Sequence, residues 1–76
     1  MSEKFPKVTS SQILKVVKKL GFIEDRTKGS HVILLHPESK LRTVVPFHKG
    51  KTLPVGTLKG ILAEADVSVQ MLRELL

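Results

Sequence analysis

A histidine that follows a glycine and a serine is the residue of this sequence best suited to proton transfer. The segment TKGSH occupies residues 27–31 and precedes the most apolar run of the chain. Imidazole has an unperturbed pKa of about 6.5 and exchanges protons near neutral pH, and Gly29 can adopt the positive φ of a tight turn. His31 is therefore a candidate general acid or base. The simpler interpretation is a surface histidine after a turn glycine.

Metal sites and several hydrolytic mechanisms lack their usual residues. The chain has no cysteine, and its three histidines are His31, His36 and His48. If residues 30–36 form a strand, His31 and His36 point to opposite faces because they are five residues apart. No HxxxH or HExxH pattern supplies a helical pair, and the GxSxG elbow and the phosphate-loop and dinucleotide fingerprints are absent. We expect no metal and no small-molecule cofactor.

The charge of the chain favours a polyanionic partner, with nucleic acid as the first candidate. Thirteen Lys and Arg against seven Asp and Glu give a formal net charge of +6. Arg26 and Lys28 flank the predicted hairpin, and Lys49, Lys51 and Lys59 cluster in and after a predicted loop, where helix N-terminal amides also favour anions. The chain has three Phe and no Tyr or Trp, so we expect contact with phosphates and 2′-hydroxyls rather than base stacking.

RNA as a substrate would supply its own nucleophile. Attack by the 2′-hydroxyl requires mainly a proton donor or acceptor and cations that stabilise the charge on the phosphorane. One histidine and several lysines could suffice for slow cleavage. The same residues would be a poor set for activating water without a metal.

Length and composition indicate one small domain without an enclosed active site. The chain has 76 residues, of which 41% are hydrophobic, which suits a folded globule with an open reactive surface. The absence of cysteine fits a reducing compartment. We find no targeting or membrane-spanning segment, and the lysines are not gathered on one amphipathic helix. We therefore expect a soluble cytoplasmic protein that does not bind a membrane.

Helix signals occur at both ends of the chain. A capping box of Thr9 and Gln12 predicts a first helix over about 10–20, ended by Gly21. Its lysines are interpreted as a solvated face. Apolar residues at helical spacing predict a second helix over about 54–65. Ser68 is the N-cap of a short terminal helix, whose leucines either pack on the second helix or meet a partner.

Three strands are predicted between the first two helices. Apolar and β-branched runs indicate strands over 22–26, 30–36 and 41–45, with a turn at 27–29. The short connections imply an antiparallel meander. The predicted fold is α+β: a three-stranded antiparallel sheet with two helices packed on one face and a short C-terminal helix.

Five motifs, in their order and spacing, resemble the HicA toxin family across about residues 8–72. They are LGF at 20–22, KGSH at 28–31, HP at 36–37, VPFH at 45–48 and GTLKGIL at 56–62. The position where the family usually has a polar residue, after the apolar pair of the second strand, is Leu35 here.

The resemblance implies a double-stranded-RNA-binding-domain-like fold over a single toxin domain at residues 1–76. It implies a metal-independent endoribonuclease that cleaves messenger RNA and is held in check by a HicB-like antitoxin. The catalytic histidine of the family corresponds to His31, and His48 receives no catalytic role. The residues expected to bind RNA are Lys28, Gly29, Ser30, Lys49, Lys51 and Lys59.

Two other functions remain open from the sequence. In the first, the same fold is a non-catalytic RNA- or ribosome-binding module, and His31 contacts only a phosphate or a 2′-hydroxyl. In the second, the domain binds another protein through Leu72, Leu75 and Leu76. Loss of cleavage without His31 would argue against the first, and loss of binding at high salt would argue against the second.

Overall fold

The computed structural model describes residues 5–76, which form three helices and one sheet. The elements are α1 (Ser10–Lys19), β1 (Ile23–Lys28), β2 (His31–Leu35), β3 (Arg42–Pro46), α2 (Val55–Ala65) and α3 (Val69–Leu75). The strands are antiparallel in the order β1-β2-β3. Both α1 and α2 pack on one face of the sheet. The predicted α+β fold is confirmed.

Local capping sets the limits of α1. The Thr9 hydroxyl accepts a hydrogen bond from the Gln12 N–H at 3.2 Å, and the Gln12 side chain accepts one from the Thr9 N–H at 2.8 Å. Gly21 has a φ of +103°, which ends the helix in the left-handed region. The predicted capping box and terminating glycine are therefore both confirmed.

The first hairpin differs from its prediction. β1 continues to Lys28 instead of ending at residue 26, and Gly29 and Ser30 alone form the turn, with Gly29 at a φ of +57°. β2 is one residue shorter at each end than the predicted 30–36. The second half of β1 is polar, so its extent depends on backbone pairing with β2, which the hydrophobic pattern of the sequence does not show.

A β-bulge interrupts β1. Glu24 pairs with Leu34 and Arg26 pairs with Ile33, which leaves Asp25 as an extra residue. The Glu24 carboxylate lies on the helix side, 3.5 Å from the Lys18 ammonium of α1. Beyond the bulge, Arg26 faces the side of the sheet opposite the helices, together with Ile33.

The core lies between the helices and one face of the sheet. Val32 and Leu34 of β2 and Val45 of β3 are buried in it. Leu72 of α3 joins them with its side chain fully buried. α3 packs against α1, and Leu72 lies in the same core cluster as residues of α1 and α2. Burial of Leu72 removes it from any surface that could bind another protein.

Candidate functional site

His31 lies on the sheet face that the helices leave open. It pairs with Lys28 of β1 and with Pro46 of β3, so the three side chains share one face. The residue is exposed, and within residues 5–76 its imidazole has no hydrogen-bond partner. The ring is therefore accessible to a large substrate, with the Lys28 strand position directly beside it.

His36 has the opposite environment just after β2. Its Nδ1 accepts hydrogen bonds from the Glu38 N–H at 3.2 Å and the Ser39 N–H at 3.1 Å, and its Nε2 lies 3.0 Å from the Leu20 carbonyl oxygen. These partners assign the ring hydrogen to Nε2, which donates to Leu20. The ring also contacts Phe22 edge-on. His36 is thus a structural residue, and the predicted divergence of the two histidines is confirmed.

A groove of about 350 Å³ lies next to His31 on the open face. We call it the open-face groove; its lining residues are Asp25, Arg26, Lys28, Ile33, Leu35 and Arg42. Ile33 and Leu35 form an apolar floor, since both follow His31 on β2 with the same side-chain direction. Arg26 and Lys28 approach from β1, and Arg42 approaches from β3.

Arg42 was not among the predicted nucleic-acid contacts, and Arg26 was named only for its position beside the first hairpin. Arg42 pairs with Leu35 across the β2–β3 ladder, and Arg26 reaches the groove because of the bulge at Asp25. Alternation along β3 could have found Arg42, because Thr43 and Val45 face the core. The sheet face to which the Arg26 side chain points has no comparable sequence signal, because the bulge sets it.

A second cavity, of about 360 Å³, lies in the loop between β3 and α2. We call it the loop cavity; Pro46, His48, Lys51 and Thr57 are among its lining residues. Pro46 also pairs with His31, so the cavity lies at the end of the sheet where His31 is found. The N-terminus of α2 has no side-chain cap, so its first amides remain available to an anion.

The buried Ser10 side chain fixes the start of this loop. Its hydroxyl donates to the Pro46 carbonyl at 2.7 Å and accepts from the His48 N–H at 3.3 Å. The backbone N–H of Phe47 also donates to the Ser30 carbonyl at 2.6 Å. The first hairpin and the loop are therefore joined at the end of the sheet where His31 lies.

The predicted RNA-binding residues occupy three places. Lys28, Gly29 and Ser30 lie at the hairpin beside His31, and Lys49 and Lys51 lie in the loop. Lys59 lies on α2 with its ammonium 5.2 Å from the centre of the Phe5 ring, and it lines neither the groove nor the cavity. The structure thus brings the first five near one end of the sheet and leaves Lys59 apart.

Residues 5–76 contain no group of three His, Asp or Glu side chains that could hold a metal ion. Over the same residues, every helix is too short or too polar to cross a membrane.

Comparison with known proteins identifies the family. The family model described as the HicA toxin of bacterial toxin-antitoxin systems matches residues 10–67, from the first residue of α1 to just past α2. No curated protein sequence matches the chain. The family match covers more than half of the 76 residues and includes the open-face groove, the loop and His31. The chain therefore belongs to the HicA toxin family.

Proposed function

We propose that this toxin is an endoribonuclease that cleaves messenger RNA on the open face of its sheet, with His31 as the proton-transfer group. The observation that carries the proposal is the environment of His31. Its ring is exposed beside Lys28 and free of protein partners within residues 5–76, whereas the His36 ring is held by three hydrogen bonds. A histidine that must accept or donate a proton needs the first environment.

The reaction follows from the chemistry of RNA. The 2′-oxygen forms a bond to phosphorus while the bond from phosphorus to the 5′-oxygen breaks, giving a 2′,3′-cyclic phosphate and a 5′-hydroxyl. His31 either removes the proton from the 2′-hydroxyl or supplies one to the leaving 5′-oxygen. In the first case water supplies the proton to the 5′-oxygen, and in the second case water accepts the proton from the 2′-hydroxyl. The Lys28 ammonium stabilises the extra negative charge on the phosphorane.

The cationic loop extends the RNA-binding surface. Lys49 and Lys51 would contact phosphates from the loop, and the backbone N–H groups of Gly29 and Ser30 would do so from the turn of the first hairpin. Such contacts give affinity without base readout, because they depend on charge and backbone shape. Lys59 would contact a more distant part of the RNA.

The partner that suppresses the toxin would be a HicB-like antitoxin. Two observations favour its docking over the open face. Leu35 on this face is exposed and could pack against a protein partner, and the three cations that line the open-face groove favour a partner with acidic groups. We also propose that residues 1–76 form a single toxin domain located in the cytoplasm. Packing of Val8 and Leu72 into the common core supports one domain.

Replacement of His31 tests the proposed activity. The His31→Ala variant should fold and bind RNA, and its cleavage rate should fall by about two to four orders of magnitude, as expected for loss of a general acid or base. His48→Ala is the matched control, because His48 is also exposed, and it should retain most activity. Chelators should not inhibit the wild type, and 2′-deoxy substitution at the scissile nucleotide should block it. Wild-type cleavage by His31→Ala would instead favour a non-catalytic RNA-binding module.

A further inference from the structure

The open-face groove combines features that suit a nucleotide rather than an ion or an apolar peptide. Its volume, about 350 Å³, is at the lower end of the range of small-molecule pockets, about 300–1,000 Å³. The floor is aliphatic: Ile33 is 8% exposed and Leu35 is 37% exposed. Cationic side chains stand on both sides of that floor. A planar apolar group with an attached anion would satisfy both surfaces.

Charge complementarity argues against an apolar protein segment as the occupant. Arg26, Lys28 and Arg42 line the groove, and Asp25 is its one carboxylate. The Asp25 carboxylate accepts a hydrogen bond from the Nε of Arg26 at 3.1 Å, and a guanidinium has further N–H donors for a phosphate. An apolar side chain bound in the groove would leave the cationic groups without an anionic partner.

The position of the groove relates it directly to the proposed reaction. Ile33 is two residues beyond His31 on the same strand and the same face, which is a separation of about 7 Å between the two Cα atoms. A group bound over Ile33 therefore adjoins a group bound at His31. This distance is short enough that a base over Ile33 and a phosphate at His31 would belong to neighbouring nucleotides of one RNA strand.

We propose that the open-face groove binds the base of one unpaired nucleotide next to the scissile bond, with its phosphate held by Arg42 and Arg26. This inference rests on the proposed ribonuclease function and adds a requirement for single-stranded RNA. In an A-form duplex the base faces are stacked and only their edges are accessible, so the aliphatic floor could not contact them. In this arrangement Leu35 sets the preference for unpaired over paired nucleotides, because it contacts the flat face of the base, which is covered by stacking in a duplex.

Binding of a fixed RNA probe to paired variants tests the groove without requiring cleavage. The probe is a 2′-fluoro RNA hexanucleotide, which has no nucleophilic hydroxyl, and its bases are removed one position at a time. The wild type should lose about tenfold in affinity when one particular base is missing. Leu35→Ala should lose about tenfold on the intact probe and nothing further on that abasic probe, since the two changes remove the same contact.

Matched variants separate the groove from general effects. Leu76→Ala removes an exposed leucine just after α3, and it should leave the affinity unchanged. Arg42→Gln should weaken binding by about tenfold, whereas Lys15→Gln, on the solvated face of α1, should have little effect. The same sequence placed in a hairpin stem should bind with no dependence on Leu35.

The inference would be overturned if Leu35→Ala and base removal lowered the RNA affinity independently, so that the two fold-losses multiplied when both changes were made. It would also be overturned by variants of Leu35 and Arg42 that bind RNA normally and weaken only an antitoxin complex, or by an equal dependence on Leu35 for the hairpin stem. The proposed ribonuclease function is judged separately, by His31-dependent cleavage of unmodified RNA by the wild type. Each proposal can therefore fail while the other stands.

Discussion

The two faces of the sheet use the same residue types for different purposes. On the helix-covered face, Leu34 is fully buried, and the nearby His36 ring is fixed by three hydrogen bonds. On the open face, Leu35 is partly exposed and His31 has no protein partner within residues 5–76. The residue type therefore does not decide its role in this protein. The decisive property is the face on which the strand places it.

Truncation of consecutive leucines should give the largest difference between the faces. Leu34→Ala removes a fully buried side chain and should lower the free energy of unfolding by about 2–5 kcal/mol. Leu35→Ala should lower it by about 1 kcal/mol or less, because Leu35 already contacts solvent. Urea unfolding followed by circular dichroism measures both. Equal losses would show that the open face is covered in solution.

Two glycines provide the next comparison. In Gly21→Ala, the new Cβ would lie 2.7 Å from the His36 Nε2, at a φ of +103°. The combined strain and loss of the histidine contact should cost about 2–3 kcal/mol. Gly29→Ala also has a positive φ but meets no atom within 4 Å, so its cost should be about 1 kcal/mol. Thermal unfolding of the two variants would reveal this order, and the reverse order would contradict the His36 contact.

Replacement of the two histidines should then separate stability from activity. His36→Ala removes hydrogen bonds that join the end of β2 to the turn after α1, and it should lower the unfolding free energy by about 1–2 kcal/mol. His31→Ala should change it by less than about 0.5 kcal/mol. Chemical denaturation of both variants, beside their RNA cleavage rates, tests this separation. A stability loss in His31→Ala as large as that in His36→Ala would show that the exposed ring has a structural role.

The smallest effect should come from a buried hydroxyl on the covered face. Thr43 is fully buried, and its hydroxyl donates to the Glu64 carboxylate of α2 at 3.0 Å. Thr43→Val keeps the shape and removes the donor, so stability should fall by about 0.5–1 kcal/mol. Glu64→Gln keeps an acceptor oxygen and should have a smaller effect. An unchanged unfolding midpoint in Thr43→Val would show that the bond does not stabilise the packing of α2 on β3.

The sequence determines the helices of this fold more clearly than the faces of its strands. Capping residues such as Thr9 and Ser68 act locally, and the limits of α1 and α2 agree with prediction to within about one residue. The resemblance to the HicA family and the family match agree with each other. The roles of individual site residues remain predictions.

The place of Arg26 in the groove could not be predicted because it depends on the register of β1. Phe22 is buried in the core, and regular alternation from Phe22 would place Arg26 on the covered side. The bulge reverses that direction. The face covered by the helices was also undetermined, since the apolar run of β2 has residues suited to burial on both sides. Tertiary packing settled it in favour of Val32 and Leu34.

The extra residue in β1 allows the two ends of the strand to keep different alternations of side-chain direction, each of which is set independently. The two-residue turn at Gly29 fixes the side-chain directions of Lys28 and Arg26, and burial of Phe22 fixes those of Ile23 and Glu24. These two alternations differ by one residue, and Asp25 is the residue that absorbs the difference. Deleting Asp25 would therefore restore a regular ladder without moving any other side chain to the opposite face. It would also remove the one carboxylate that lines the groove. The backbone of β1 can therefore accept the loss of Asp25, and the open-face groove would lose a negative charge with it. At this position chain length and surface charge can change together without a change of fold.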